Sequence, residues 1–219
     1  MLDKFSMVES ATKSTFDLSD KSGTERPGGV PAFKEWAIVC ASIERGETSV
    51  IFRKGGIAEG RNGFEFKHRR FFLFPTFFHE QIERTRLGRD RDLAPRLDPV
   101  TISVFVEVEF AAIVRDLSLV QSLEAFHVLQ PSVLKERFHY DDQDGLYVAF
   151  LRAFRVSPVW ELPFRPAFGG CRSWITLPNA PAGLKMEPVL EDQEQTRRRT
   201  ICADGLGVDQ REKSLFKNS

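Results

Sequence analysis

Three short segments hold most of the side chains in this chain that can do chemistry. Arg53 and Lys54 stand directly before the glycine pair Gly55 and Gly56, and a second basic run, His68-Arg69-Arg70, opens the next apolar stretch. Backbone N–H groups of a glycine loop can cradle an anion, and guanidinium groups add fixed positive charge with forked donors. The loop glycines (Gly55, Gly56, Gly60, Gly63) match neither GxxxxGK[ST] nor GxGxxG, and no helical period follows them. Both of those nucleotide loops are thereby excluded. What remains is an expected β-hairpin with the two basic clusters close together, either as an anion nest or as a solvated tip.

The second segment, FPTFFHE, supplies Thr76, His79 and Glu80. A histidine beside a carboxylate can act as a general base or bind a metal. A metal site needs further ligands at a recognisable spacing, and HEQIE lacks the second histidine of HExxH. No metal is expected, and hydrogen bonding within the fold is the plainer role for His79. The third segment is GGCRSW. Cys171 would be a nucleophile if a histidine approached it, but no protease signature surrounds it, and a small buried cysteine is the plainer expectation. Arg172, Ser173 and Trp174 can grip a phosphate and stack on a base; Trp174 would serve equally well in a core. Glu107 and Glu109 share a strand face without the lysine of a carboxylate nuclease site, and DDQDG is too short for a calcium loop. Arg84, Arg86, Arg89, Arg91 and Arg96 can track a phosphate backbone, but Asp90 and Asp92 offset them.

Composition sets the frame for these segments. With 219 residues, 42% of them hydrophobic, the chain suits one domain with loose ends. Phenylalanine occurs 20 times and tyrosine twice, a bias that fits a core because phenylalanine needs no hydrogen-bond partner. Lys plus Arg equals Asp plus Glu at 31 each, so net charge selects no partner. Three cysteines (Cys40, Cys171, Cys202) without a CxxC pair fit a reducing, cytoplasmic setting. No run is long and apolar enough for a signal or a membrane span, so no membrane partner is expected. Residues 1–31 read as a flexible leader, 32–185 as one globular domain, and 186–219 as a polar, partly disordered tail.

The elements that must position the three segments are mostly strands. AFKEWAIVCASI reads as a helical turn running into a strand, TSVIFRK as a strand, and RRFFLFPTFF as a strand stopped near Pro75. In VTISVFVEVEFAAIV, Ile102, Val104, Val106, Val108 and Phe110 alternate with Thr101, Ser103, Glu107 and Glu109, the period of a strand with one buried face. LSLVQSLEAFHVL switches to the helical period, with Asp116 or Ser118 as its cap. SVLKERF gives a second helix, LYVAFLRAFRVSP a long strand, and GGCRSWITLP a short one. Strands do not alternate with helices, which argues against a doubly wound parallel sheet. The expected fold is α+β: a mixed, mostly antiparallel curled sheet or partly open barrel with two or three helices, PUA-like by analogy of strand order.

In this order, FKEWAIVC, IFRKGGIAEG, FFLFPTFFHE, LRAFRVSP and GGCRSWITL resemble a bacterial family catalogued as a domain of unknown function, DUF1802. The resemblance covers about residues 32–178. It implies that Arg53 to Ile57, then Phe74, Pro75, Thr76 and His79, then Gly170 to Trp174 are signature positions. It also implies Gln after the histidine, where this chain has Glu80. It implies no activity.

The leading expectation is an anion-binding domain for nucleic acid or a nucleotide. It would use Arg53, Lys54, Gly55, Gly56, Arg69, Arg70, Arg172, Ser173 and Trp174, with no cofactor. The alternatives are a phosphodiesterase-type hydrolase with His79 as base and Thr76, Glu80 or Cys171 assisting, and a protein-interaction module.

Overall fold

The computed structural model describes residues 28–54, 66–88, 98–140 and 143–208. Gly55, Gly56, Gly60, Gly63, Arg89, Asp90, Arg91, Asp92 and Arg96 lie outside the described residues. The strands are β1 (Val30–Trp36), β2 (Val50–Arg53), β3 (Arg70–Thr76), β4 (Val100–Val114), β5 (Leu146–Leu162), β6 (Trp174–Leu177) and β7 (Lys185–Pro188). The helices are α1 (Ala37–Glu44), α2 (Leu117–Ser122), α3 (Pro131–Phe138) and α4 (Asp192–Leu206). The strands form one seven-stranded sheet in the order β2-β5-β4-β3-β1-β6, with β7 added to β5. Among the described strands, β1 and β3 pair in parallel and the other pairs are antiparallel. The chain is thus a mixed, mostly antiparallel α+β domain.

The sheet curls. Arg53, on edge strand β2, donates to the carbonyl of Lys34 on β1, although three strands separate β2 from β1 in the order. Its guanidinium also lies 4.6 Å from the centre of the Phe33 ring, a cation–π contact across the interior. Two cores follow, because successive strand residues face opposite ways. Phe33, Phe71, Leu73, Val104, Val106 and Phe150 pack beneath the helices. Ala32, Phe72, Phe74, Phe105, Phe154, Trp160 and Phe168 form the second core on the other face. The abundance of phenylalanine is explained by a sheet that is buried on both sides.

Four local expectations need correction. The chain begins the domain with strand β1 and then enters helix α1, the reverse of a helical turn feeding a strand. Pro75 lies within β3 and does not stop it; it faces Glu35 in the parallel ladder with β1. The β4 alternation is broken by register shifts between Ile102 and Val104 and between Val108 and Phe110. At the first shift β5 places Val156 to Val159 opposite the single residue Ser103, and the faces change there: Ile102 joins Phe105 in the second core while Val104 and Val106 serve the first. The helix after β4 is short, with Asp116 accepting from the Ser118 N–H at 2.8 Å as its cap, and a 3₁₀ turn at 124–126 follows it.

Folded structure also continues past residue 185. Strand β7 pairs with β5, and α4 docks through Cys202, Ala203 and Leu206, all buried. Gln195 donates to the Leu151 carbonyl at 3.1 Å, and Arg198 to the Gly46 carbonyl at 2.7 Å. A helix whose apolar contacts are confined to its last turns, and whose first turns are held by Gln195 and Arg198, leaves no sustained apolar period in its sequence, which is why this stretch reads as a tail. Gly207 closes α4 at φ 63°, the left-handed C-terminal position. Among the described residues, no helix is long and apolar enough to cross a membrane.

Candidate functional site

Strand β1 is where the sequence segments meet. The Arg53 side chain reaches the Lys34 carbonyl. The Thr76 hydroxyl donates to the Glu35 carbonyl at 3.0 Å. The Lys34 N–H donates to the Ser173 carbonyl at 2.8 Å, and Trp174 packs edge-on to Phe33 at 4.9 Å. One signature residue or more from each of the three segments therefore touches the four residues Phe33 to Trp36.

The two sides of β1 differ. On the second-core side, Lys34 is 6% exposed and donates to the carbonyls of Gly169 (2.7 Å) and Gly170 (2.9 Å). An ammonium has three N–H donors, so one remains. Burial holds the Lys34 ammonium below its ordinary pKa; the nearby Cys171 opposes that shift and the positive charge of Arg172 adds to it. Beside Lys34 opens a cleft of about 170 Å³, lined by Phe74, Pro75, Thr76, Phe77, Val100, Phe164, Phe168, Gly169 and Gly170. The 3₁₀ turn Pro166–Phe168 forms one wall, and the Phe164 N–H is held by Asp98 at 3.1 Å. Gly170 sits at φ 74°, a left-handed conformation that suits glycine. It presents its carbonyl to Lys34.

On the first-core side, Glu35 is 2% exposed. Its Oε1 accepts from the Trp36 N–H at 2.8 Å. A small cavity of about 10 Å³ lies between Glu35, Thr48, His127 and Arg137. Arg137 stacks 4.5 Å from the centre of the Trp36 ring and donates to the Phe52 carbonyl. Burial brings Arg137 down to about 10; the carboxylate of Glu35 opposes this, while Arg53 and Arg84 reinforce it. His127 accepts from the Leu129 N–H through Nδ1 at 3.1 Å, and its Nε2 is buried without a hydrogen-bond partner among the described residues. Burial first, and Arg86 second, hold His127 at about 4.

The expected hairpin between the basic clusters does not form, because β2 pairs with β5 while β3 lies between β4 and β1. Lys54 donates to the carbonyls of Phe138 and Gln143. Arg69 and Arg70 lie 3.4 and 3.5 Å from Glu107, at the opposite end of β3 from Thr76. Trp174 is half-buried between Phe33, Phe71 and His68. Cys171 is an exposed free thiol, contrary to the buried role expected of it. Arg172 is exposed beside it. His79 is exposed on the turn after β3 and is not among the residues lining the cleft. Of the catalytic candidates, Thr76 lines the cleft, and Cys171 follows the lining residue Gly170. Among the described residues, no group of three or more His, Cys, Asp or Glu could hold a metal ion.

Sequence reasoning missed Lys34, Gln81, Phe164, Arg165 and Phe168. Gln81 is 4% exposed and accepts from the Ile38 N–H at the start of α1, while its amide donates to the Thr76 and Phe78 carbonyls. It thereby ties the turn bearing His79 to helix α1. The usable signal for Lys34 and Glu35 was a charged pair inside an otherwise apolar run, VPAFKEWAIV. Charges in such a place must be partnered by the fold.

The family model for the domain of unknown function DUF1802 matches residues 32–200, and the chain belongs to that family. No curated protein matches the chain. Among solved structures, the ASCH protein of Zymomonas mobilis is similar at 13% identity and a TM-score of 0.41, over 78% of this chain and 92% of that one. A tyrosine-to-phenylalanine variant of the same protein gives 13% and 0.43 over 78% and 95%. A serine-to-alanine variant gives 14% and 0.38 over 78% and 93%.

Proposed function

We propose that this domain binds an anionic ligand that carries a flat apolar group, a nucleotide or a nucleotide unit of nucleic acid, in the cleft beside Lys34. The observation that carries the reading is the Lys34 ammonium itself: a nearly buried cation with a donor to spare, on the wall of an aromatic cleft. A buried charge without a full set of partners is costly, and an anion supplies what is missing. Phe74, Phe77, Phe164 and Phe168 offer ring faces and edges for stacking. Two further cations stand next to lining residues in the chain: Arg165 follows Phe164, and Arg172 acts electrostatically on Lys34. Both are exposed, which suits them to meet a phosphate arriving from solvent. Arg53, Lys54, Arg69 and Arg70 support the reading less, since each already has a partner elsewhere in the fold.

The test is calorimetric titration with nucleoside monophosphates, together with mobility shifts of short single-stranded RNA and DNA, at several salt concentrations. Binding should weaken as salt rises. Lys34→Met should reduce affinity at least tenfold, about 1.4 kcal/mol, while circular dichroism stays unchanged. No binding at low salt, or binding indifferent to Lys34→Met in a folded protein, overturns the reading.

A further inference from the structure

The dimensions and polar groups of the cleft narrow the ligand, and this step rests on the anion-binding reading above. The cleft holds about 170 Å³. A cavity of about 150 Å³ accepts one benzene ring, whereas sites for drug-sized ligands run from about 300 to 1,000 Å³. The enclosed space is therefore closer to that of one six-membered ring than to a drug-sized site. Its walls are fixed on the sides that would have to yield. Phe168 is 4% exposed and packs 5.4 Å from Phe74, itself 3% exposed. Phe74 stands opposite Lys34 in the β1–β3 ladder. Phe164, at 45% exposed, is the lining ring most open to solvent, and it offers a face for stacking on a ring that enters.

Two polar side chains line the cleft. Lys34 offers its remaining N–H as a donor. The Thr76 hydroxyl directs its hydrogen at the Glu35 carbonyl, so towards the cleft it can serve only as an acceptor. One side-chain donor and one side-chain acceptor among otherwise apolar lining side chains match a ring that carries both a carbonyl oxygen and an N–H on its edge. We infer that the cleft takes a single oxo-pyrimidine ring, with the attached phosphate lying outward towards Arg165 and Arg172. A free pyrimidine nucleotide and a base turned out of a single strand share this chemistry.

The experiment uses the full chain and calorimetric titration with UMP, CMP, AMP and GMP, followed by oligo(U) and oligo(A) of equal length. UMP or CMP should bind at least tenfold more tightly than either purine nucleotide. Phe164→Ala, a change at an exposed ring, should weaken UMP several-fold without altering the fold. If the mononucleotides are too weak to measure, oligo(U) should still exceed oligo(A) tenfold; that result also upholds the inference and identifies a strand as the source. Purines binding as well as or better than pyrimidines would overturn the one-ring inference and leave the anion-binding reading intact. Absence of binding by every probe at low salt would overturn both.

Discussion

Lys34 and Glu35 are neighbours in the chain and opposites in the fold. Lys34 faces an open cleft, bonded to two carbonyls and left with one donor. Glu35 faces a cavity of only about 10 Å³, closed by Thr48, His127 and Arg137. Strand geometry sends adjacent side chains to opposite sides, so seven residues of β1 serve two purposes at once. On the closed side the guanidinium groups of Arg53 and Arg137 bind backbone carbonyls and lie over rings, which fixes the curl of the sheet. On the open side the same backbone holds the Lys34 cation beside the cleft. The difference teaches that a basic residue near a signature segment is not thereby a ligand-binding residue. Arg53 belongs to the closed side, and recognition would fall to Lys34.

Substitutions on the two sides should separate stability from binding. The largest loss is expected for Phe33→Ala. This fully buried ring touches Phe71, Trp174 and Arg53, and its truncation should cost about 3–5 kcal/mol in chemical denaturation. Lys34→Met should cost only about 1 kcal/mol, because Gly169 and Gly170 are exposed and water can replace the lost donor. If Lys34→Met destabilises as much as Phe33→Ala, the open side is structural after all.

A pH effect of somewhat smaller size belongs to His127. Its pKa is lowered from 6.5 to about 4 in the folded protein, so the unfolded chain binds the proton more readily. Stability from this group is complete above pH 6.5 and is lost as pH falls from 6.5 towards 4. The loss should amount to about 3 kcal/mol. His127→Asn, which keeps an acceptor for the Leu129 N–H and does not titrate, should flatten the pH dependence of denaturation over that interval. A slope that persists unchanged would place its origin elsewhere. Gln81→Ala should cost about 1–3 kcal/mol by leaving the buried Ile38 N–H unbonded. A change below about 0.5 kcal/mol would show that Gln81 does not secure the turn to α1.

The strands were legible because their patterns are local. TSVIFRK and LYVAFLRAFRVSP carry the β-branched and aromatic bias of a strand, and both form strands, β2 and β5. Strand partners were not legible: β2 and β3 are successive, yet two strands lie between them. Nothing in the residues of either strand encodes that separation. The irregularity opposite Ser103, whose extra residues lie in β5, left an uninterrupted alternation in the β4 sequence while Ile102 turns to the other core. Of the site, Thr76, Gly170 and Arg172 stood out by their segments. Lys34 did not, because its partners are carbonyl oxygens of Gly169 and Gly170, and a carbonyl has no signature in an amino-acid sequence.

The parallel seat of β1 has a further consequence, for biosynthesis. Lys34 meets its acceptors 135 and 136 residues downstream, and β1 also needs β6, which ends at Leu177. A chain still being translated can pair β1 with β3 early, but the β6 edge of β1 stays open for most of its elongation. The cleft is not complete until Gly169 and Gly170 have cleared the exit tunnel. The nascent segment VPAFKEW therefore stays open to a chaperone along its β6 side until late in synthesis.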